Sequence, residues 1–181
     1  MEVVRQSNLL DELLADYRDI LGPDYDAYRN HCLRIFNFCY ALSRSSTDTE
    51  RAEKIAVAAA FHDLGIWTDK TFDYIRPSQQ LARRYLERAD KVAWSDEIDA
   101  MISEHHKIRK YEFNPAWLVE PFRKADWIDI SAGMLRFRLP DNFVIDVIYG
   151  IPNAGFHKKL ALLALERIKA HPFSPFPMVK L

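Results

Sequence analysis

The sequence predicts an all-α, single-domain helical bundle of about seven helices. Only 5 glycines and 9 prolines occur among 181 residues, and long stretches contain neither, which favours long helices over a many-turned β-architecture. Apolar side chains recur three and four residues apart, the spacing of a helix with one buried face. A chain of this length suits one hydrophobic core, so we expect residues 1–181 to form one domain.

Capping and breaking residues divide the chain into its helices. Ser7 is a candidate N-cap for the first helix, which Gly22 and Pro23 stop. Gly65 is placed to end the third helix, and Pro152 breaks the last helical run. Helices are expected over residues 7–20, 24–43, 49–64, 78–90, 95–109, 116–132 and 141–170, with 65–77 as an aromatic-rich connection and 172–181 as a coil tail.

Charge and hydropathy argue against nucleic-acid polymers and membranes as partners. Lys and Arg total 25 against 26 for Asp and Glu, so no global basic field exists. The N-terminus lacks the apolar region of a signal peptide, and the alanine-rich run at 55–61 is too short to span a bilayer. Cys32 and Cys39 are predicted to be buried thiols of a cytoplasmic protein, since two helical turns separate them. The many aromatic residues are compatible with a homodimer.

Four polar residues interrupt apolar helix faces. His31 and Asp126 each lie on an apolar stripe, and His62 and Asp63 follow alanines one turn earlier at the end of an alanine-rich helix. Each has a simpler interpretation when taken alone, such as a core histidine bonded to a carbonyl or an acid in a salt bridge. Buried polar groups are costly without partners, and one metal ion would satisfy all four together.

The other histidines are interpreted from their positions in the same way. His105 falls on the apolar stripe of its helix and is expected to face inward, whereas His106 is expected nearer the rim. His157 lies beside a lysine pair and His171 in the tail, so both are interpreted as surface residues.

The order of a histidine, a His-Asp pair and a later aspartate, each on a helix, resembles the HD superfamily of metal-dependent phosphohydrolases. The matching segments are YRNHCLRIF, AAAFHDLGI and KADWIDI. They lie within a core motif region at residues 25–132, which residues 133–171 extend with C-terminal helices. The resemblance implies a helical bundle of the HD type.

The resemblance also implies a ligand set. The metal would be held by His31, His62, Asp63 and Asp126; Asp126 is preferred over Asp129 because the first acid of the last motif is the usual ligand. The segment ISEHHK resembles a position where relatives place one or two histidines.

The expected cofactor is one divalent transition metal. Relatives with two metals generally carry a further histidine between the His-Asp pair and the later histidines, and none occurs here between Asp63 and Glu104. A mixed set of nitrogen and oxygen ligands suits Mn, Fe, Co, Ni or Zn.

The expected metal-ligand set and the resemblance to the HD superfamily together predict a phosphohydrolase. It would attack a small phosphorylated metabolite or nucleotide with a metal-activated water. Asp63 would act as general base, and His105 as a further ligand or as a donor to the substrate or leaving group. Lys124, two residues before Asp126, is the candidate cation for the phosphate. Further candidate cations are Lys70, Arg76 and Lys107. Trp67, Phe72 and Tyr74 in the aromatic connection would form a lid or a base-stacking wall, or would equally pack against the core.

Two other functions stay open at this point. The same scaffold could serve as a hydratase or an iron oxygenase acting on a small molecule, and two irons per chain would favour the oxygenase. A non-catalytic binding protein of the HD fold is the other alternative, although the intact ligand set argues against it.

Overall fold

The computed structural model of the chain describes residues 1–43, 49–173 and 178, and within them every regular element is a helix. The helices are α1 Asn8–Ala15, α2 Arg18–Leu21, α3 Tyr25–Leu42, α4 Thr49–Phe61, α5 Gly65–Thr68, α6 Ile75–Arg88, α7 Ser95–Glu104, α8 Val119–Ile130, α9 Asp141–Gly150 and α10 Phe156–Ala170. Single 3₁₀ turns at Gly22–Asp24 and Val92–Trp94 precede α3 and α7. The predicted all-α fold is confirmed. No described helix is long and apolar enough to cross a membrane.

Helix α3 is the centre of the bundle and packs mainly against α8 and α4. Every side chain from His31 to Cys39 is buried, as expected for a core helix surrounded by others. The polar residues on this stretch therefore need internal partners. Asn37 bonds to the backbone of Val4. The Val4 N–H donates to the Asn37 Oδ1 at 2.8 Å, and the Asn37 Nδ2 donates to the Val4 carbonyl at 2.9 Å. The other two, His31 and Arg34, point into the candidate site.

Helix α4 supplies a close-packed wall beside α3. Its side chains from Ile55 to Phe61 are all buried, and the four alanines among them allow neighbouring helices to approach closely. The helix ends at Phe61, and the chain continues through a turn at residues 62–64. The His62 N–H still donates to the Ala58 carbonyl at 2.9 Å, so this turn prolongs the direction of the helix into the core.

Gly65 has a different role from the predicted helix stop. It is the first residue of α5, and the helix it was expected to end stops at Phe61. A Cβ at this position would lie 2.6 Å from the Tyr74 carbonyl oxygen and 2.9 Å from the Pro77 Cβ. Its N–H donates to the Ser78 Oγ at 3.1 Å. The glycine is therefore required by the close approach of α6.

Several other predicted boundaries shift by a few residues. The first helix is capped by Ser7, whose Oγ accepts from the Leu10 N–H, but α1 ends at Ala15 before the short α2. The connection at 65–77 contains α5, and α6 begins at Ile75 because Pro77 fits within its first turn. The predicted break near Pro152 is confirmed, since α9 ends before it and α10 begins after it.

Two further predictions concern the thiols and the tail. Cys32 and Cys39 are free and fully buried, as predicted. Most of the predicted coil tail lies outside the described residues; Met178, which is described, is 5% exposed and packs into the core.

We expect Gly65→Ala to destabilise the fold by about 1–3 kcal/mol, because the added methyl group meets backbone that cannot move cheaply. Urea unfolding followed by circular dichroism measures the change. Gly22→Ala is the control: no atom lies within 4 Å of its added Cβ, so only the strain of φ +52° contributes. Unchanged stability of Gly65→Ala would show that packing against α6 does not explain Gly65.

Candidate metal centre

Six polar side chains from different parts of the bundle meet in the interior. They are His31 on α3, His62 and Asp63 in the turn after α4, His105 and His106 at the end of α7, and Asp126 on α8. The His106 side chain is 13% exposed, and the others are buried. The four residues predicted as metal ligands are thus brought together from three separate helical segments.

The ligand atoms of this group lie at short mutual distances. The Nε2 atoms of His31 and His62 are 3.0 Å apart. An oxygen of Asp63, Oδ2, lies 3.8 Å from the first and 3.4 Å from the second. Asp126 approaches with Oδ1 at 3.8 Å from the Nε2 of His31. Atoms that bind one metal ion at 2.0–2.2 Å are about 3–3.5 Å from one another. A small contraction would therefore close His31, His62 and Asp63 around an ion, whereas Asp126 lies outside this tightest group and would have to move closer to complete the set.

Hydrogen bonds fix the tautomer of three histidines. His31 donates from Nδ1 to Asp129 Oδ2 at 2.6 Å. His62 and His105 donate from Nδ1 to the carbonyls three residues earlier, at 2.9 Å and 2.6 Å. Because Nδ1 carries the proton in each ring, Nε2 presents a lone pair to the interior. The contact between His31 and His62 is therefore lone pair to lone pair, which repels unless a cation lies between the two atoms.

The carboxylates of the group also lack partners. Oδ1 of Asp63 and both side-chain oxygens of Asp126 are buried without a hydrogen-bond donor, and so is the Nε2 of His105. Buried polar atoms almost always find partners, and those that do not point to a missing ion or water. Two carboxylates together with neutral imidazoles form a donor set with net negative charge. The residues present therefore fit a divalent metal ion.

Burial keeps the histidine ligands neutral. It lowers the pKa of His31 and brings the pKa of His62 to about 3. The pKa of His105 behaves differently: burial alone would lower it, but contact with Asp63 and the charge of Asp126 raise it overall. The first two rings are thus ready to ligate at neutral pH, whereas the third can hold a proton.

The pKa values of Asp63 and Asp126 are shifted in opposite directions. Burial, reinforced by the charge of Asp63, raises the pKa of Asp126 well above its usual range. Burial has the same effect on Asp63, but the imidazoles of His62 and His105 outweigh it and lower its pKa. Two carboxylates placed together without a cation cannot both ionise easily. A bound cation would remove that conflict.

Asp129 lies behind His31 and is fully paired. Besides accepting from His31, its Oδ2 accepts from Arg34 Nη2 at 2.9 Å, and its Oδ1 pairs with Arg34 Nε. Burial alone would raise the pKa of Asp129, but His157, His31 and Arg34 hold it well below its usual range. Asp126, one turn earlier on α8, keeps its oxygens free. This contrast supports Asp126 as the ligand and Asp129 as the residue that orients His31.

The two adjacent histidines after α7 form a second group with Asp63. His105 Nε2 lies 3.3 Å from Oδ1 of Asp63, which is the oxygen turned away from His31 and His62. His106 places Nδ1 3.4 Å from Asp126 Oδ2, and its Nε2 contacts the Tyr74 hydroxyl at 2.6 Å. His105 is the fully buried member of the pair and His106 the more exposed one, as the apolar stripe predicts. Asp63 is thus shared by two groups that could each hold an ion.

The structure does not bring Lys124 to this cluster, contrary to its predicted role. Its Nζ pairs with Glu120 at 3.3 Å and lies over the Phe137 ring, beside Leu42. Residues two apart on a helix face different directions, so Lys124 points away from the side that Asp126 occupies.

The other candidate cations are also engaged or exposed. Lys107 pairs with Glu104 at 2.5 Å, and the exposed Lys70 and Arg76 do not line the cavity beside the cluster. The three aromatic residues of the connection also lie in different places. Phe72 and Tyr74 line that cavity, whereas Trp67 donates from Nε1 to Asp24 at 2.9 Å and faces a neighbouring cleft.

Three supporting residues escaped the sequence analysis. Phe156 stacks on the His31 ring with centroids 3.8 Å apart, and Arg34 pairs with Asp129. His157, interpreted above as a surface residue, places Nε2 3.8 Å from Asp129 Oδ2. Of these three residues, the sequence pattern could have indicated only Arg34. It is a charged residue one turn after His31 on a helix that is otherwise buried. The contribution of α10 depends on tertiary packing that the local pattern does not reveal.

We expect Asp129→Asn to weaken metal binding by about 10–100-fold, because the amide cannot hold the His31 tautomer or balance Arg34. Competition with a chromogenic chelator, using Mn²⁺ and Zn²⁺, measures the affinity. Lys124→Ala is the control and should bind as the wild type does.

Asp126→Ala completes this test, since it should abolish binding. If Asp126→Ala retained the metal while Asp129→Asn lost it entirely, the assignment of the two acids would be reversed. Unfolding curves for each variant separate loss of the site from loss of the fold.

Comparison with known proteins agrees with this geometry. The family model described as "HD domain" matches residues 28–135, more than half of the chain. The match includes His31, His62, Asp63, Asp126 and the two adjacent histidines. No curated protein and no solved structure is detectably similar to the chain. The family match and the helical fold together place this chain in the HD domain family.

Proposed function

We propose that the chain is a metal-dependent phosphohydrolase that acts on a small phosphorylated metabolite. The observation that carries the proposal is the opposed pair of Nε2 lone pairs on His31 and His62, 3.0 Å apart, beside the unpartnered oxygens of Asp63 and Asp126. Such an arrangement is unfavourable in the empty protein and favourable around a divalent ion. Membership of the HD domain family supports hydrolysis as the reaction.

The donor set suits Mn²⁺, Fe²⁺, Co²⁺, Ni²⁺ or Zn²⁺. When bound, such an ion lowers the pKa of a coordinated water and polarises a phosphoryl oxygen.

The protein residues supply the proton chemistry. Asp63 turns Oδ2 toward His31 and His62 and leaves Oδ1 free to accept a proton from the attacking water. His105 lies 3.3 Å from that Oδ1, and its raised pKa suits it to take up this proton or to donate one to the leaving group.

A hydratase is the second candidate, and one observation favours it. Among the described residues, no lysine or arginine lines the cavity beside the cluster. An uncharged substrate such as a small nitrile needs no such cation, and the same activated water would add to it. A panel of phosphomonoesters, phosphodiesters, nucleotides and small nitriles, assayed with each of the five metals, distinguishes the two reactions.

We expect His62→Ala and Asp63→Ala each to lose bound metal and at least about 100-fold in kcat, because each removes a ligand and Asp63 also accepts the proton. Elemental analysis and turnover on the best substrate of the panel measure both effects. The matched controls are His171→Ala and Asp73→Ala, which alter exposed residues of the same types. Retention of both metal and activity in either site variant would refute the assignment.

We expect one metal ion per chain after reconstitution, held by His31, His62, Asp63 and Asp126. His105→Gln should leave this number unchanged, because His105 belongs to the second group. Plasma mass spectrometry of the reconstituted protein gives the ratio directly. Two irons per chain would instead favour the oxygenase.

A further inference from the structure

An apolar cavity of about 270 Å³ opens directly onto the cluster. Asp63 and His106 of the cluster line it, and so does Tyr74, whose hydroxyl is hydrogen-bonded to His106. The remaining lining side chains are Phe72, Trp127, Ile130, Leu160, Ala161, Ala164 and Met178. Apart from the indole N–H of Trp127, the polar side-chain groups of the described lining residues thus belong to the cluster or contact it.

Described cations line a different part of the surface. A larger neighbouring cleft, on the other side of Phe72, is lined by Lys70, Lys159 and Arg167. Among the described residues, no lysine or arginine lines the cavity at the cluster. A phosphate or carboxylate remote from the metal would find no cationic partner among the described lining residues. The lining therefore favours an apolar group in the part of the substrate that extends away from the metal.

The size of the cavity limits that part to a compact group. An engineered protein cavity of about 150 Å³ holds benzene, and pockets for drug-sized ligands begin at about 300 Å³. About 270 Å³ thus accommodates one substituted ring or a short branched alkyl chain. Small side chains on α10, Ala161 and Ala164, keep this space open opposite Trp127.

We propose that the substrate carries a single compact apolar group, an aromatic ring or a short alkyl chain, which fills this cavity while its reactive group meets Asp63 and His106. The hydrolytic step rests on the proposed function, but the binding of the apolar group does not. Ala164 is then a specificity-determining residue. The apolar lining favours a compact apolar group over a nucleoside, whose base and sugar hydroxyls would need polar partners that the described lining does not offer.

Binding without turnover tests the cavity first. Benzyl alcohol is the probe, and calorimetry with the full-length protein, metal-free and metal-loaded, measures its affinity. We expect binding in both forms, with at least a tenfold loss in Ala164→Leu because the larger side chain occupies the same space. Ala170→Leu, on the same helix but outside the cavity, should bind as the wild type does. Absence of binding, or an equal loss in both variants, overturns the proposal.

Turnover provides the second arm. Against methyl, butyl and benzyl phosphate, kcat/KM should rise about fourfold for each buried methylene group. Ala164→Leu should remove this preference while keeping the metal content, and Ala170→Leu should keep both the preference and the metal. A flat series with unchanged benzyl alcohol binding would refute the phosphoester role and leave the cavity assignment standing. A flat series without binding would refute the cavity assignment itself.

Discussion

The site depends on one electrostatic constraint: lone pairs and carboxylates converge in a space from which water is largely excluded. His31 and His62 face each other through unprotonated nitrogens because their other nitrogens are already committed to Asp129 and to the Ala59 carbonyl. Neither ring can relieve the contact without breaking a buried hydrogen bond. A bound cation would satisfy both nitrogens and the neighbouring carboxylates together, and the surrounding packing keeps these groups in place.

That packing is arranged around α3. The helix is buried on all sides over the stretch that carries His31 and Arg34, so both side chains have fixed surroundings. Asp129 connects them, since its oxygens accept from both. A buried arginine would be costly alone, but here it compensates a carboxylate whose own role is to hold an imidazole. The charges of Arg34 and Asp129 thus compensate each other behind His31, separately from the charges of the proposed metal ligands.

Local sequence was sufficient for the residues whose neighbours are also local. His62 and Asp63 follow a run of buried alanines, and the helix period places His105 inward and His106 outward. The same reasoning predicted the long helices, with shifts at their ends, but it missed the division between α1 and α2 and the short α5 within the aromatic connection. It failed for Lys124, because proximity in sequence was taken for proximity in space. Gly65 was predicted to end a helix, but the structure requires a glycine there because α6 approaches closely. That approach is a tertiary contact, which the local sequence does not show.

Helix α10 contributes to the centre in two unequal ways. Its first turn supports the cluster, through Phe156 against His31 and His157 beside Asp129. Its later turns present Leu160, Ala161 and Ala164 to the cavity and touch none of the proposed ligands. Substitutions in those later turns could change which molecule fits while leaving the metal-binding residues intact. Helix α10 lies beyond residues 28–135, which the family model matches, so one side of the substrate cavity comes from outside the segment that carries the proposed ligands.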